Sequence, residues 1–309
     1  MSTKHPALGA IYALIGALLF GVNASTSKVI MALGVSGSEI VLFRSLFTAA
    51  LAGLVLVFTN RKAFRVRLRE WPKLIAFGVV GVALMQWAYS MAVGNLQVGL
   101  ALLIEYTAIV WVPIVSMIIY RERVRGRIWF GVALVLIGLV IVSGLTLNGL
   151  NPVGVGFAFM ASATLTVYFI MGERTQENRD TMSTLFYTMA ISTVFWLVFG
   201  NWSNFDWAEF SGQVSLTGNL AAWSSPAWLL LIWLGVMGSF VPMALSYLAL
   251  RHLSATGVGI ASTAETVFAF IFGLLWLGEA ISQNQLLGGL LVMAGIVVAQ
   301  TARQTSSSD

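Results

Sequence analysis

Residues 71–96, WPKLIAFGVVGVALMQWAYSMAVGNL, decide the fold, because their pattern returns at residues 228–253, WLLLIWLGVMGSFVPMALSYLALRHL. The match continues without a gap through residues 71–142 and 228–299 at a constant offset of 157 residues. Chance matches of Leu and Val are expected in apolar sequence, whereas paired Trp, Glu and Gly residues are not. The informative pairs are Trp71/Trp228, Gly78/Gly235, Gly81/Gly238, Glu122/Glu279, Gly131/Gly288 and Gly138/Gly295. The sequence therefore predicts an internal duplication.

The duplication extends to the start of each half at an offset of 145 residues, which pairs Gly9 with Gly154 and Ala13 with Ala158. The offset changes mainly because the segment before residue 228 is longer than its counterpart in the first half. We therefore predict two units, residues 1–147 and residues 148–309.

The composition excludes an ordinary soluble domain. Hydrophobic residues make up 58% of the 309 residues and charged residues only 9%, whereas charged residues are about a quarter of a soluble chain. The chain has no Cys, which excludes disulfides and thiolate metal sites, and its two His residues are too few for an imidazole cluster. We expect a membrane protein with no metal and no cofactor.

Long apolar runs predict the membrane-crossing helices, since about 20 apolar residues span the roughly 30 Å hydrocarbon core. The runs lack the apolar/polar alternation of a membrane β-barrel. Ten runs are found, approximately at residues 9–32, 38–58, 72–93, 98–120, 127–145, 152–172, 181–200, 226–250, 254–277 and 283–302.

Basic residues indicate the orientation, because short loops rich in Lys and Arg stay on the cytoplasmic side. With the N-terminus inside, every Lys and Arg except Lys28 and Arg44 lies in a cytoplasmic loop or tail. The net charge of +5 then reflects topology and contact with anionic lipid, and nucleic acid is not expected as a partner. We predict a multi-pass protein of the cell inner membrane with cytoplasmic N- and C-termini.

Five helices in each unit is an odd number, so the second unit must enter the membrane from the opposite side. The loop that carries Glu122 is then cytoplasmic, and the loop that carries Glu279 is outside and has no Lys or Arg. The predicted fold class is an all-α integral membrane protein with ten transmembrane helices as two inverted five-helix repeats. Many secondary transporters have this architecture, with the substrate site between the halves near the midplane.

Two stretches of the sequence resemble a known family. They are Ile104-Glu105-Tyr106-Thr107 running to Arg121-Glu122-Arg123, and Ala264-Glu265-Thr266-Val267-Phe268 running to Leu277-Gly278-Glu279. Together with Arg44 early in the second span, they are similar to the drug/metabolite transporter superfamily, EamA type. The resemblance covers nearly the whole chain and implies a ten-helix fold with two inverted EamA repeats. It also implies export of amino acids and related metabolites, as in many bacterial members.

The chain departs from that family after each intramembrane Glu. Many members carry Pro there, where this chain has Thr266 after Glu265, and Ala108 or Ile109 after Glu105. Because these prolines are absent, the sequence does not support helix breaks at these points.

Glu105 and Glu265 are the central candidate site residues. A charged side chain at mid-bilayer costs about 3 kcal/mol or more, so it normally faces protein or a water-filled cavity. In the repeat alignment the two residues lie one helical turn apart on equivalent faces, and we expect both to face the interface between the units. One of them would bind a proton in exchange for substrate or pair with a substrate ammonium; a structural ion pair is the alternative.

Two basic residues lie within predicted spans. Lys28 either extends to the interface through its apolar stem or faces a cavity, where it would bind a substrate carboxylate or pair with Glu39 or Glu105. Arg44 is assigned a structural role, because its guanidinium is suited to holding carbonyl and carboxylate groups.

A polar and aromatic face recurs in the third and eighth spans and predicts a cavity lining. In the alignment Gln86, Tyr89 and Ser90 correspond to Met243, Ser246 and Tyr247. Tyr106 and Trp111 are candidates for an apolar wall, with packing or lipid contact as the alternative. The full predicted set of substrate or cavity residues is Asn23, Lys28, Gln86, Tyr89, Ser90, Glu105, Tyr106, Trp111, Tyr168, Ser239, Ser246, Tyr247 and Glu265.

Small residues and prolines predict structural roles. Gly21 belongs to a stripe of small residues, spaced four apart, that allows helices to approach closely. Pro113 and Pro242 lie inside spans and are expected to kink them.

The predicted function is a secondary transporter, most simply an exporter of amino acids or related zwitterions, with protons as a candidate coupling ion. An intramembrane protease is the enzyme alternative, because Gly34-Val35-Ser36-Gly37 imitates a rhomboid motif. Neither His lies where the base for this Ser would be needed, so we expect no enzyme. A membrane receptor or scaffold is the other alternative.

Overall fold

The computed structural model describes residues 5–120, 126–142, 150–176, 179–200, 212–252, 261–262 and 264–304. These residues are almost entirely helical. The helices are α1 (Pro6–Met31), α2 (Gly37–Thr59), α3 (Trp71–Ala76), α4 (Met85–Asn95), α5 (Val98–Glu105), α6 (Ala108–Tyr120), α7 (Gly126–Val142), α8 (Pro152–Gln176), α9 (Thr181–Phe199), α10 (Ala227–Gly235), α11 (Val241–His252), α12 (Ala264–Leu275) and α13 (Gln283–Gln304). Each predicted span contains at least one of them.

Six helical stretches are long and apolar enough to cross a membrane. They are Ala7–Met31, Gly37–Thr59, Leu68–Asn95, Pro152–Gly172, Thr181–Phe199 and Ala227–Ser246. Shorter apolar helices cover Val98–Val112, Trp129–Gly138 and Ala264–Leu275. The chain is therefore a multi-pass membrane protein.

Helices α7 and α13, which are equivalent in the repeat alignment, cross at paired glycines. A Cβ on Gly138 would lie 2.7 Å from the Gly288 carbonyl oxygen, and a Cβ on Gly295 would lie 2.7 Å from that of Gly131. Residue 131 thus lies against residue 295, and residue 138 lies against residue 288. Since the numbers rise in one helix as they fall in the other, the two helices run antiparallel.

Helices α2 and α9 form a second antiparallel pair of equivalent helices. The hydroxyls of Ser45 and Ser192 hydrogen-bond at 2.8 Å, and Gly53 lies against the Phe186 ring. The start of α2 is fixed by a capping box, in which the Ser36 hydroxyl accepts from Glu39 N–H and the Glu39 carboxylate accepts from Ser36 N–H.

The remaining contacts between the halves are reciprocal. Helix α1 packs against α11 and α12, and its equivalent α8 packs against α4, α5 and α6. At the close approaches, Gly238 faces Asn23 of α1, and its equivalent Gly81 faces Tyr168 of α8. Each half is therefore completed by the first helix of the other half.

Helix irregularities occur where these contacts are closest. Equivalent π-helical segments, Phe77–Leu84 and Val236–Phe240, connect α3 to α4 and α10 to α11. The fourth predicted span is interrupted at Tyr106 and Thr107, between α5 and α6, although no Pro lies at that point.

A short β-hairpin precedes α10. Its strands β1 (Gln213–Ser215) and β2 (Ser224–Pro226) pair antiparallel. Asn219 at its tip donates through Nδ2 to the carbonyl oxygens of Leu274 and Leu275, which are 3.2 Å away at the end of α12. The hairpin thereby caps a helix C-terminus whose carbonyl groups lack partners within the helix.

Candidate functional site

Arg44 occupies the interface between the two halves. It is only 4% exposed, and its Nε donates to the Ser239 hydroxyl at 2.8 Å. Its Nη2 donates to the Gly238 carbonyl oxygen at 3.3 Å. Among the described residues its Nη1 has no hydrogen-bond partner. The guanidinium therefore joins α2 to the π-helical segment of the second half and keeps donors for another acceptor.

The interruption between α5 and α6 positions a tyrosine against a carboxylate of the other half. The Thr107 hydroxyl bonds the Ile104 carbonyl oxygen at 2.7 Å and the Ser162 hydroxyl at 2.8 Å, which holds the turn against α8. The Tyr106 hydroxyl donates to Glu265 Oε2 at 2.5 Å. Residues of both halves thus form one partly buried contact.

Glu105 lies beside this contact at the end of α5. It is 5% exposed and interacts electrostatically with Arg44 and Glu265. One cation therefore faces two carboxyl groups. With both carboxyl groups ionised the cluster carries an excess negative charge, which a proton or a substrate ammonium would neutralise.

Three more polar side chains near the interface each have a buried polar atom without a hydrogen-bond partner. Asn23 Oδ1, Gln86 Oε1 and the Tyr89 hydroxyl are buried and have no hydrogen-bond partner among the described residues. Tyr89 also interacts electrostatically with Arg44, Glu105 and Glu265. Since a buried polar group without a partner costs about 1–3 kcal/mol, such groups call for a ligand or ordered water. We name Arg44, Glu105, Tyr106, Glu265, Asn23 and Tyr89 the interface cluster. Gln86 lies one turn before Tyr89 in α4, and its Nε2 contacts Met189 Sδ at 3.7 Å.

Lys28 lies outside the interface cluster. The prediction that it would pair with Glu39 or Glu105 is wrong. Its Nζ bonds Glu279 Oε1 at 2.5 Å and the Leu96 carbonyl oxygen at 2.9 Å. Glu39 caps α2 instead. The sequence identifies Glu279 as a repeat residue but does not predict its pairing with Lys28. Glu279 lies in the turn between α12 and α13, 251 residues from Lys28 along the chain.

Several other predicted residues make local hydrogen bonds or ring contacts. The hydroxyls of Ser90 and Ser246 donate to the carbonyl oxygens of Gln86 and Pro242, four residues earlier, at 2.9 Å each. The Tyr168 ring packs against Phe77 at 5.6 Å. These contacts stabilise helices and their packing.

Trp111 and Tyr247 are not placed in the interface cluster. The Trp111 side chain is 45% exposed, because α6 turns this face away from the partly buried contact at Tyr106. Tyr247 lies in α11, and its side chain is outside the described part of the structure.

The residues predicted to be structural occupy helix contacts. A Cβ on Gly21 would lie 2.7 Å from Phe268 Cβ, so this glycine allows α1 to approach α12. Pro242 is the second residue of α11, which follows the π-helical segment Val236–Phe240. Pro113 lies inside α6 without interrupting it; the interruption of that span lies upstream, at the hydrogen-bonded turn of Thr107.

The proposed protease nucleophile has a structural role. Ser36 is the N-cap of α2 and exchanges hydrogen bonds with Glu39. The described residues contain no group of three or more His, Cys, Asp or Glu placed to hold a metal ion.

Comparison with known proteins identifies relatives over most of the chain. The model of the EamA-like transporter family matches residues 7–144 and 152–301. An uncharacterized transporter of Archaeoglobus fulgidus is 24% identical over 69% of this chain and 70% of its own length. The uncharacterized transporter YdfC of Bacillus subtilis is 22% identical over 85% of this chain and 81% of its own length.

Other relatives have a named activity. The threonine/homoserine exporter RhtA of Escherichia coli is 20% identical over 82% of this chain and 80% of its own length. A solved crystal structure matches with a TM-score of 0.65 and 17% identity, and it covers 97% of this chain and 99% of that chain. The structural match shows a shared fold.

Proposed function

Because the chain belongs to the EamA-like transporter family, we propose that it exports amino acids or related zwitterions across the cell inner membrane by alternating access. It is a membrane transporter and not an enzyme. In this proposal ten helices cross the bilayer, five from residues 1–147 and five from residues 148–309, and both termini are cytoplasmic.

The helix packing supports an inverted arrangement of the two units. The equivalent pairs α7/α13 and α2/α9 run antiparallel at their contacts. If equivalent helices point in opposite directions, their units enter the membrane from opposite sides. Two such units related by a pseudo-two-fold axis provide the two exchangeable conformations that alternating access requires.

The observation that carries the substrate proposal is the interface cluster. Arg44 offers free donors at Nη1 to a carboxylate, and Glu105 offers an acceptor to an ammonium. The unpaired oxygen of Asn23 would accept a further hydrogen bond. An α-amino acid carries both charges on one small molecule, and the named activity of the relative RhtA also concerns amino acids.

Glu105 and Glu265 are the candidate proton sites. Since they share one arginine, binding of a substrate ammonium and binding of a proton would compete for the same excess negative charge. Such competition couples export to proton entry without an additional ion site.

The test is uptake into inside-out vesicles from cells that express the full chain, with each of the twenty common amino acids labelled in turn and with or without a proton uncoupler. We expect saturable, uncoupler-sensitive uptake of one or a few amino acids. Vesicles from cells that do not express the chain are the negative control. Absence of uptake for the whole panel would overturn the proposal, and cleavage of a membrane substrate would favour the protease alternative.

A further inference from the structure

A polar pocket lies beside Lys28, away from the interface cluster. Its volume is about 390 Å³, within the range of small-molecule sites of roughly 300–1,000 Å³. Lys28 is its charged residue, and four amide side chains complete its polar lining. These amides are Asn95, Gln97, Asn151 and Gln285.

The carboxylate of Glu279, which does not itself line the pocket, shows what Lys28 binds. One oxygen, Oε1, contacts the Lys28 ammonium at 2.5 Å, and the other, Oε2, accepts from the backbone N–H of Val98 at 3.1 Å. Val98 is the first residue of α5, so the carboxylate also lies at the positive end of a helix dipole. An ammonium and a helix N-terminus thus hold one carboxylate through both of its oxygens.

The same carboxylate joins the second half to the first half. Glu279 lies in the turn that follows α12, where Gly278 adopts a positive φ of 70°. Beside it, Gln97 Nε2 donates to the Ala280 carbonyl oxygen at 3.0 Å, and Gln285 Nε2 donates to Gln97 Oε1 at 2.7 Å. The turn is therefore fixed to α1 and α5 mainly through Lys28, Val98 and Gln97.

The pocket and the interface cluster lie at opposite ends of one short helix. Helix α5 begins at Val98 below Glu279 and ends at Glu105 in the interface cluster. With about 1.5 Å of rise per residue, eight residues separate the two ends by roughly 12 Å. The residues of α5 between these two ends are buried in the hydrophobic core, so a solute that leaves the interface cluster reaches Lys28 only when the helices packed around α5 separate.

We infer that this pocket is an exit site, in which the carboxylate of the exported solute replaces Glu279 on Lys28 and on the N-terminus of α5. The inference rests on the proposed function. Replacement conserves the charge pairing, because one carboxylate exchanges for another and the released Glu279 turns towards water. It also removes the ionic contact between the turn after α12 and the first half and leaves the Gln97–Ala280 hydrogen bond as a remaining link, so arrival of the solute favours separation of this turn from the first half.

The experiment uses the absence of Cys from the natural chain. A single reporter, Asn151→Cys, lines the pocket, and its rate of maleimide labelling is measured on the full chain in nanodiscs. The probes are the twenty common L-amino acids and the carboxamides of those that protect. We expect a protecting amino acid to slow labelling about tenfold at about ten times its Kd, and its carboxamide to have no effect. The matched control reporter is Ala222→Cys, which is exposed in the hairpin turn and should label at one rate throughout.

Variants in the reporter background separate the exit site from a simple ion-pair contact. Lys28→Gln should abolish protection and Lys28→Arg should retain it. Glu279→Gln removes the tethered competitor, so half-protection should occur at an amino-acid concentration about tenfold lower. Protection that survives Lys28→Gln, equal protection by the carboxamide, or no protection by any amino acid would overturn the inference.

The outcome is independent of the test of the proposed function. Vesicle uptake without pocket protection would reject the exit site alone. Protection without uptake would reject transport alone and leave a carboxylate-binding pocket at Lys28.

Discussion

Arg44 is the residue on which the interface cluster depends, because a guanidinium stays charged when it is buried and must therefore be held by hydrogen bonds. Ser239 and Gly238 of the second half supply two acceptors in fixed directions. A guanidinium presents five donors on a rigid plane, so it can keep these two bonds and still offer donors to Glu105, Glu265 or a substrate. Lysine has three donors on a single atom and cannot serve both sets.

We therefore predict that Arg44→Lys folds but transports poorly. Loss of charge-assisted hydrogen bonds worth about 1.5–3 kcal/mol should lower uptake about tenfold or more. The measurement is initial uptake of the amino acid that the wild type transports, together with the temperature of unfolding in detergent. Arg61→Lys is the matched control, since Arg61 is exposed just after α2 and donates to the Val57 carbonyl oxygen at the end of that helix. Wild-type uptake by Arg44→Lys would exclude a role for the guanidinium fork.

The two intramembrane carboxyl groups lead to a separate prediction. Glu105→Gln and Glu265→Gln preserve size and hydrogen bonding but remove the charge that faces Arg44. We expect both variants to fold and to lose transport or its response to pH. The control is Glu70→Gln, because Glu70 pairs with Arg179 outside the interface cluster and is 40% exposed. Wild-type flux at every pH in both variants would remove the assigned role of these carboxyl groups.

At the residue scale, the sequence predicts which side chains are unusual but not what they contact. Polar side chains within apolar, membrane-spanning helices stand out, because their transfer into the bilayer costs free energy. Examples are Glu105, Glu265, Gln86 and Tyr89. The pairing of Lys28 with Glu279 has no such signal, since the partner lies in a turn 251 residues away along the chain.

At the scale of helices, the crossing of α7 and α13 depends on glycine. The groups that would meet a Cβ on Gly138 include the Gly288 carbonyl oxygen and Val292 N, at 2.7 and 2.8 Å. These are backbone atoms, so they cannot move aside as a flexible side chain would. An added methyl group must instead push the two helices apart.

Gly138→Ala is accordingly predicted to destabilise the protein by about 1–3 kcal/mol, the usual effect of overpacking. Thermal unfolding in detergent provides the measurement. Gly156→Ala is the matched control: Gly156 also lies within a helix, but a Cβ there would have no neighbour within 4 Å, so alanine should be neutral or stabilising by about 1 kcal/mol. Equal stability of the two variants would contradict close packing at this crossing.

Apolar runs predict the positions of the helices well, because bilayer thickness and helix rise determine the length of a run. They do not predict the interruption at Tyr106 and Thr107, where a side-chain contact to Ser162 of α8 stabilises the turn. The π-helical segments and the hairpin of residues 213–226 were also not predicted. All three features depend on tertiary contacts, and local sequence patterns do not encode these.

For the whole molecule, the inversion of the two units is the feature on which alternating access depends. The antiparallel pairs α7/α13 and α2/α9 support it within the fold, and the basic loops support it relative to the membrane. Lys62, in the short segment after α2, and Ala222, in the hairpin after α9, lie in equivalent connections between the second and third helices of their units. Inversion places these two positions on opposite sides of the membrane.

Single-cysteine variants test this directly, because the natural chain contains no Cys and gives no background labelling. Both Lys62 and Ala222 are exposed, so substitution should leave folding intact. We predict that a membrane-impermeant maleimide labels Ala222→Cys in intact cells and labels Lys62→Cys only in inside-out vesicles. Labelling of both positions from one side would show that the two units share one direction through the bilayer, and a pseudo-two-fold axis in the membrane plane would then be excluded.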